Sequence, residues 1–216
     1  IGVDEKAVAK GHAYMTLVCD IDRGTVEHVA DDRKQESLDG YFTSLSDEQR
    51  NGIEAVAMDM WEPYVRSVRA HLPDADDKIV FDRFHVMQMF NKVIGDCRRA
   101  EFKAAKTLGD LTGQQVIKGS LWLLLSNRTT LKQTDQERLD QLLAQNQPLA
   151  SLYALKEQLQ RAWQPNSAPA DMTARLDDWC GIAKAASITG LSKFVKTLQA
   201  HRTGICAYAD HPITTA

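Results

Sequence analysis

The chain has 216 residues, 44% hydrophobic and 25% charged, the make-up of a folded globular protein rather than a disordered one. No apolar run approaches the length of a bilayer span, and the opening IGVDEK lacks a secretory leader pattern. The formal net charge of -3 hides an asymmetry: of 26 Lys and Arg and 29 Asp and Glu, the first 82 residues hold 9 and 18, leaving 17 and 11. An acidic front suits cations and a basic back suits phosphate, although solvated faces of differing sign would leave the same count.

IGVDEK is a short apolar run ending in charge, and because it opens on Ile1 the chain reads as a piece of a longer or processed protein. AYMTLVCDID, from Ala13 to Asp22, is a second β-type run, turned by DRG into TVEHVAD, so the first three strands form a meander. A helix is predicted through RKQESLDGYFTSLSDEQRNGI, with Leu38, Tyr41, Phe42 and Leu45 at helical spacing. EAVAMDM is the fourth strand. WEPYVRSVRAHLP follows as a helix, with Trp61, Tyr64, Val65 and Val68 on one face, Pro63 in its first turn and Pro73 as its stop. DKIVFDRFH supplies the fifth strand.

From Val86 the texture becomes helical and basic. VMQMFNKVIGDCRRAEFKAAKTL carries an apolar stripe of Val86, Met89, Phe90, Val93 and Ile94, and SLWLLLSN reads as a buried helical turn. TDQERLDQLLAQNQPLASLYALKEQLQRAWQ is one helix by periodicity, with Thr134 and Glu137 spaced for a capping box. PNSAPAD is a loop, and MTARLDDWCGIAKAAS and ITGLSKFVKTLQAHRTGICAYAD are two further helices. Cys19, Cys97, Cys180 and Cys206 are scattered without a CxxC pair, which excludes a zinc or disulfide framework and predicts reduced thiols in the cytoplasm. The fold class is therefore α/β, a five-stranded mixed sheet followed by a long all-helical segment.

Three predicted strands end on an aspartate: Asp4, Asp59 and Asp82. Strand ends form the ligand crevice of open α/β sheets. If the first and fourth strands are neighbours, Asp4 and Asp59 converge, and a hard divalent cation between them would relieve their repulsion. Each aspartate taken alone more often caps the helix that follows. His85, three residues after Asp82, faces either the crevice or a backbone carbonyl in a first helical turn. Lys92, Arg98, Arg99, Lys103 and Lys106 recur along one helix, as a phosphate-tracking row or as an ordinary solvated face. There is no GxGxxG and no P-loop.

The blocks IGVDEKAVAKGHAYMTLVCDID, EAVAMDMWEPYVRSVRAHLPDA, KIVFDRFHVMQMFNKVIGDCRR and GICAYADHPITTA, in this order, resemble the catalytic region of ISL-three family insertion-sequence transposases. The resemblance implies a ribonuclease-H-like core over 1–85, a helical insertion over 86–202, and a return toward the core over 203–216. It implies DDE chemistry, with Asp4 and Asp59 as the first two metal-binding carboxylates and Asp82 and His85 as their active-site neighbours. It further implies two Mg²⁺ or Mn²⁺ ions roughly 4 Å apart, terminal-repeat and target DNA as partners, and a homo-oligomeric active complex. The family's catalytic glutamate follows a segment like HPITTA and matches no residue here, so this stretch is expected to cleave poorly. A DNA-recognition region at the family's N-terminus is likewise unmatched. A junction-resolving nuclease of the same fold, or an inactive DNA-binding remnant, are the alternatives.

Overall fold

Val3 and Val18, side by side in register, are fully buried, and the sheet grows outward from this pair. The computed structural model describes residues 1–9, 13–163 and 169–215. The chain folds as two compact units: residues 1–86, 166–173 and 201–216 form the first, and residues 87–165 and 174–200 form the second.

In the first unit, β1 (Gly2–Ala9), β2 (Ala13–Asp20) and β3 (Thr25–Asp31) form an antiparallel meander. Gly24, at φ 66°, supplies the left-handed residue of the β2–β3 turn. The chain then passes through α1 (Gln35–Ser44) and α2 (Asp47–Asn51) to β4 (Val56–Met58). It continues through α3 (Glu62–His71) and α4 (Ala75–Lys78) to β5 (Ile79–Phe81). Parallel pairing requires such crossovers: β4 lies parallel to β1 with Gly2 opposite Ala57, and β5 lies parallel to β4. The resulting order, β3-β2-β1-β4-β5, is that of a ribonuclease-H-like sheet.

Every residue of β4 and β5 is buried, which explains why both read as unbroken apolar runs. One side is packed by α1 and α3, which contribute Leu38, Phe42, Tyr64, Val65 and Val68 to the core. The Tyr64 hydroxyl is 2.8 Å from the hydroxyl of buried Thr16 on β2, satisfying both polar groups. Burial, with Glu5, Asp59 and Asp4 nearby, pushes that phenol up to about 12. A final short helix, α12 (Arg202–Cys206), packs on β5 through Gly204. A Cβ there would sit 2.6 Å from the Phe81 ring and 3.2 Å from the Ile79 carbonyl. Gly204→Ala therefore costs about 1–3 kcal/mol in urea denaturation; an unchanged midpoint would mean that α12 slides without cost.

The second unit is helical. The continuation of α5 (Arg83–Thr107) is followed by α6 (Leu111–Ile117), α7 (Leu121–Leu125), α8 (Gln133–Gln145), α9 (Gln147–Arg161), part of α10 (Pro169–Ala185) and α11 (Leu191–Ala200). Phe90, Trp179 and Phe194 meet with ring centroids 5.2–5.7 Å apart, and the Trp179 indole donates to the Leu155 carbonyl at 2.8 Å. Fully buried Lys156 donates to the Leu124 and Ser126 carbonyls at 3.1 and 2.5 Å, satisfying orphan acceptors where α7 ends. Burial pulls its pKa down, against the opposing pull of Glu157.

Several local expectations give way. The helix predicted after β3 is two, because Ser46 and Gln49 form a capping box that restarts the chain as α2. The proposed Thr134 capping box is absent: α8 starts at Gln133 on Lys132, which places Thr134 inside the helix. The long helix after it breaks at Asn146, whose side chain accepts from Leu149 N–H at 3.0 Å with Pro148 in the new first turn. The last predicted helix breaks at His201 into α11 and α12, and a 3₁₀ turn over Ala207–Ala209 follows. In the α5 stripe Val86, Phe90 and Ile94 are buried, whereas Met89 and Val93 are only half-buried. Of the PNSAPAD loop, residues 165–168 lie outside the described residues, while Pro169–Asp171 open α10.

Candidate active site

Asp59 lies one residue beyond β4, and Asp4 lies within β1. Since Gly2 stands opposite Ala57, Asp4 and Asp59 are each two residues further along neighbouring parallel strands, at one level of the sheet. Asp4 accepts the Glu5 N–H at 2.8 Å, and Asp59 accepts the Trp61 N–H at 3.0 Å, so one oxygen of each is held by the local backbone. Asp59 thus does shape the turn into α3, although the helix N-cap is Trp61.

The field at Asp59 joins the predicted residues. Burial raises its pKa first of all, the nearby His85 imidazole opposes that, and Glu5 and then Asp4 push it further up. Asp4, Asp59 and His85 therefore share one electrostatic neighbourhood. His85 is half-buried in the first turn of α5, edge-on to the exposed Phe84 ring at 5.7 Å.

Asp82 has a different setting. It is 1% exposed, and four donors converge on it. Oδ1 accepts the Phe84 N–H at 2.7 Å; Oδ2 accepts the Thr214 hydroxyl at 2.8 Å, the Thr215 N–H at 3.1 Å and the Thr215 hydroxyl at 2.7 Å. Burial alone would raise its pKa, but these bonds together hold it below the ordinary carboxylate range. Its carboxylate thus ties the start of α5 to a segment more than 130 residues away. Thr215 also lies against β1, with its methyl 3.6 Å from where a Gly2 Cβ would be.

Sequence reasoning missed Arg33, in the connection between β3 and α1. Its guanidinium donates to Glu5 at 2.9 Å and stacks over the rings of Tyr14 at 4.2 Å and Trp61 at 4.6 Å. Its carbonyl accepts the Trp61 indole N–H at 2.8 Å. The other Glu5 oxygen is buried without a partner among the described residues. Nothing in the spacing pointed to Glu5 or to Arg33.

Of the basic row, Lys92, Arg99, Lys103 and Lys106 are exposed, and their separations of seven, four and three place them on one stripe of α5. Arg99 is ion-paired with Asp96 in that stripe. Arg98 departs from the expectation: it lies elsewhere around the helix, half-buried, with its Nε shielded and without a partner among the described residues.

Among the described residues no group of three or more His, Cys, Asp or Glu is arranged to hold a metal, and no helix is long and apolar enough to cross a membrane. Asp4 and Asp59 nevertheless fit a hard divalent ion as a pair: both offer carboxylate oxygens, and Asp59 is crowded by negative charge that a cation would offset.

The strand order is that of a ribonuclease-H-like domain, and the chain carries a second, helical unit besides. The chain belongs to the ISL3 family of DDE transposases, whose profile, described as transposase, matches residues 1–216. It is 34% identical over 216 residues to the transposase for insertion sequence element IS1001 of Bordetella parapertussis, covering 100% of this chain and 52% of that protein. It is 23% identical over 233 residues to the transposase for insertion sequence element IS1557 of Mycobacterium tuberculosis, covering 99% of this chain and 52% of that one. The chain thus spans about half the length of the curated relatives it matches. No solved structure matches it.

Proposed function

We propose that this chain carries the first two carboxylates of a metal-dependent centre that cleaves DNA at insertion-sequence ends and joins it to target DNA. The observation that carries this reading is the level placement of Asp4 and Asp59 on parallel strands within one electrostatic neighbourhood. Asp4 and Asp59 would hold Mg²⁺ or Mn²⁺, which when bound supplies charge stabilisation for in-line phosphoryl transfer. Glu5 N–H fixes one oxygen of Asp4 and Trp61 N–H one oxygen of Asp59, which would orient the two carboxylates for holding the ion. His85 holds a phosphate oxygen or tunes Asp59. Asp82 serves as a positioning residue, setting the start of α5 and the 214–215 segment beside the site. The second unit, residues 87–165 and 174–200, falls within the helical insertion over 86–202 and acts as its body, with the stripe of Lys92, Arg99, Lys103 and Lys106 following a DNA backbone. Terminal repeats, target DNA and a second copy of the protein are the partners of this activity.

Titration calorimetry with Mn²⁺ tests the pair. Asp59→Asn is expected to weaken Mn²⁺ binding about 10–100-fold, and binding to the unaltered chain should weaken as pH falls, because Asp59 must release its proton. Identical binding by both chains would reduce Asp59 to a turn-forming residue.

A further inference from the structure

Beside the proposed carboxylate pair lies an open cleft of about 510 Å³, within the roughly 300–1,000 Å³ of small-molecule sites. Its walls include Tyr14, Arg33, Lys34, Trp61, Pro63 and Arg66. Trp61 connects it to the site directly, since its backbone N–H holds Asp59 while its side chain lines the cleft. Arg33 stacks on both Tyr14 and Trp61 and is itself anchored by Glu5, so the aromatic walls are stiff before any ligand arrives. Lys34 is paired with Asp32 at 2.5 Å, and Glu36 also lines the cleft, so its charges nearly cancel. Such a cleft favours a flat π-system over a bare phosphate. Exposed Arg66 is the cation placed to meet a backbone phosphate at its side.

We infer that this cleft takes one unpaired nucleobase of the DNA strand handled at Asp4 and Asp59. The inference rests on the DNA-cleaving reading of that pair and adds a subsite that reads strand separation. Stacking on an aromatic wall is tolerant of base identity, so the subsite distinguishes unpaired from paired DNA and not one sequence from another.

Fluorescence anisotropy on the full chain tests it with three duplexes: fully paired, with a short single-stranded stretch, and with that stretch made abasic. The base-bearing unpaired duplex is expected to bind about tenfold more tightly than the other two. Raised salt should weaken all three while leaving that ratio in place. Trp61→Leu should abolish the ratio and Trp61→Phe should keep most of it. Arg66→Ala, on an exposed position, should weaken the unpaired duplex several-fold. Equal affinities for the base-bearing and abasic duplexes, or a ratio unchanged in Trp61→Leu, would overturn the subsite while leaving the carboxylate pair standing. Failure to bind any of the three would remove the DNA-handling reading along with it.

Discussion

Asp59→Asn and Asp4→Asn are each expected to lower metal-dependent DNA strand cleavage by the full-length protein by at least about 10²–10³-fold, the scale of losing one electrostatic contributor to a transition state. For Asp59 the loss should come with a gain. Burial and the Glu5 and Asp4 carboxylates place its folded-state pKa above the ordinary value. A carboxyl raised on folding binds its proton more tightly in the native state, so stability falls as pH climbs through the interval between the two values. Above that interval the full cost of the charge is present, and Asn removes it while keeping an acceptor for Trp61 N–H. The unfolding midpoint of Asp59→Asn should therefore rise at neutral pH. At pH 3, where both states are protonated, the gain should vanish. A helix-capping role predicts the opposite pattern, cleavage retained and stability lowered. Cleavage within a few-fold of the unaltered protein would end the proposed assignment.

The second large effect is on stability. Asp82→Ala leaves four donors without the buried acceptor they share, and about 3–5 kcal/mol should be lost. Asp82→Asn keeps one oxygen but sets an amide N–H₂ against donors, so it should recover only part of that loss. The pH behaviour is the reverse of Asp59. The folded pKa is lowered, so the stabilisation is present above the ordinary carboxylate value and disappears as pH falls through the lowered one. Acid denaturation of the unaltered chain should therefore include a component that Asp82→Ala lacks. Hydrogen exchange offers a local readout, since Thr215 N–H should exchange much faster in the variant. A denaturation midpoint within about 1 kcal/mol of the unaltered chain would show the segment to be held by other means.

Loss of a latch and loss of a metal ligand are separable here because the two aspartates differ in environment, not in sequence context. AMDM and VFDRF each present an aspartate just past a buried three-residue strand. Spacing could not say that, among the described residues, one accepts a single local backbone N–H while the other is met by a segment 132 and 133 residues away. The same limit applies to Arg33, Glu5, Tyr14 and Trp61, brought together from two strands, the β3–α1 connection and the N-cap of α3 with no period linking them.

Helix breaks failed for a related reason. Leu139, Leu142, Leu149 and Leu152 keep helical phase across Asn146, so the apolar pattern continues where hydrogen bonding stops, and a single capping amide makes the break. Reading residues in order was enough for the strands, the mixed sheet and the helical second half, because burial imposes apolar runs on buried strands and stripes on helices. Asp4 and Asp59 were legible as candidates because each is a carboxylate set in an apolar strand-like run, and parallel pairing of β1 with β4 puts them at one level. What Asp82 binds, which way Arg98 points and how Arg33 is clasped were decided by folding alone. Those contacts depend on which distant surfaces meet, and neighbouring residues carry no record of that.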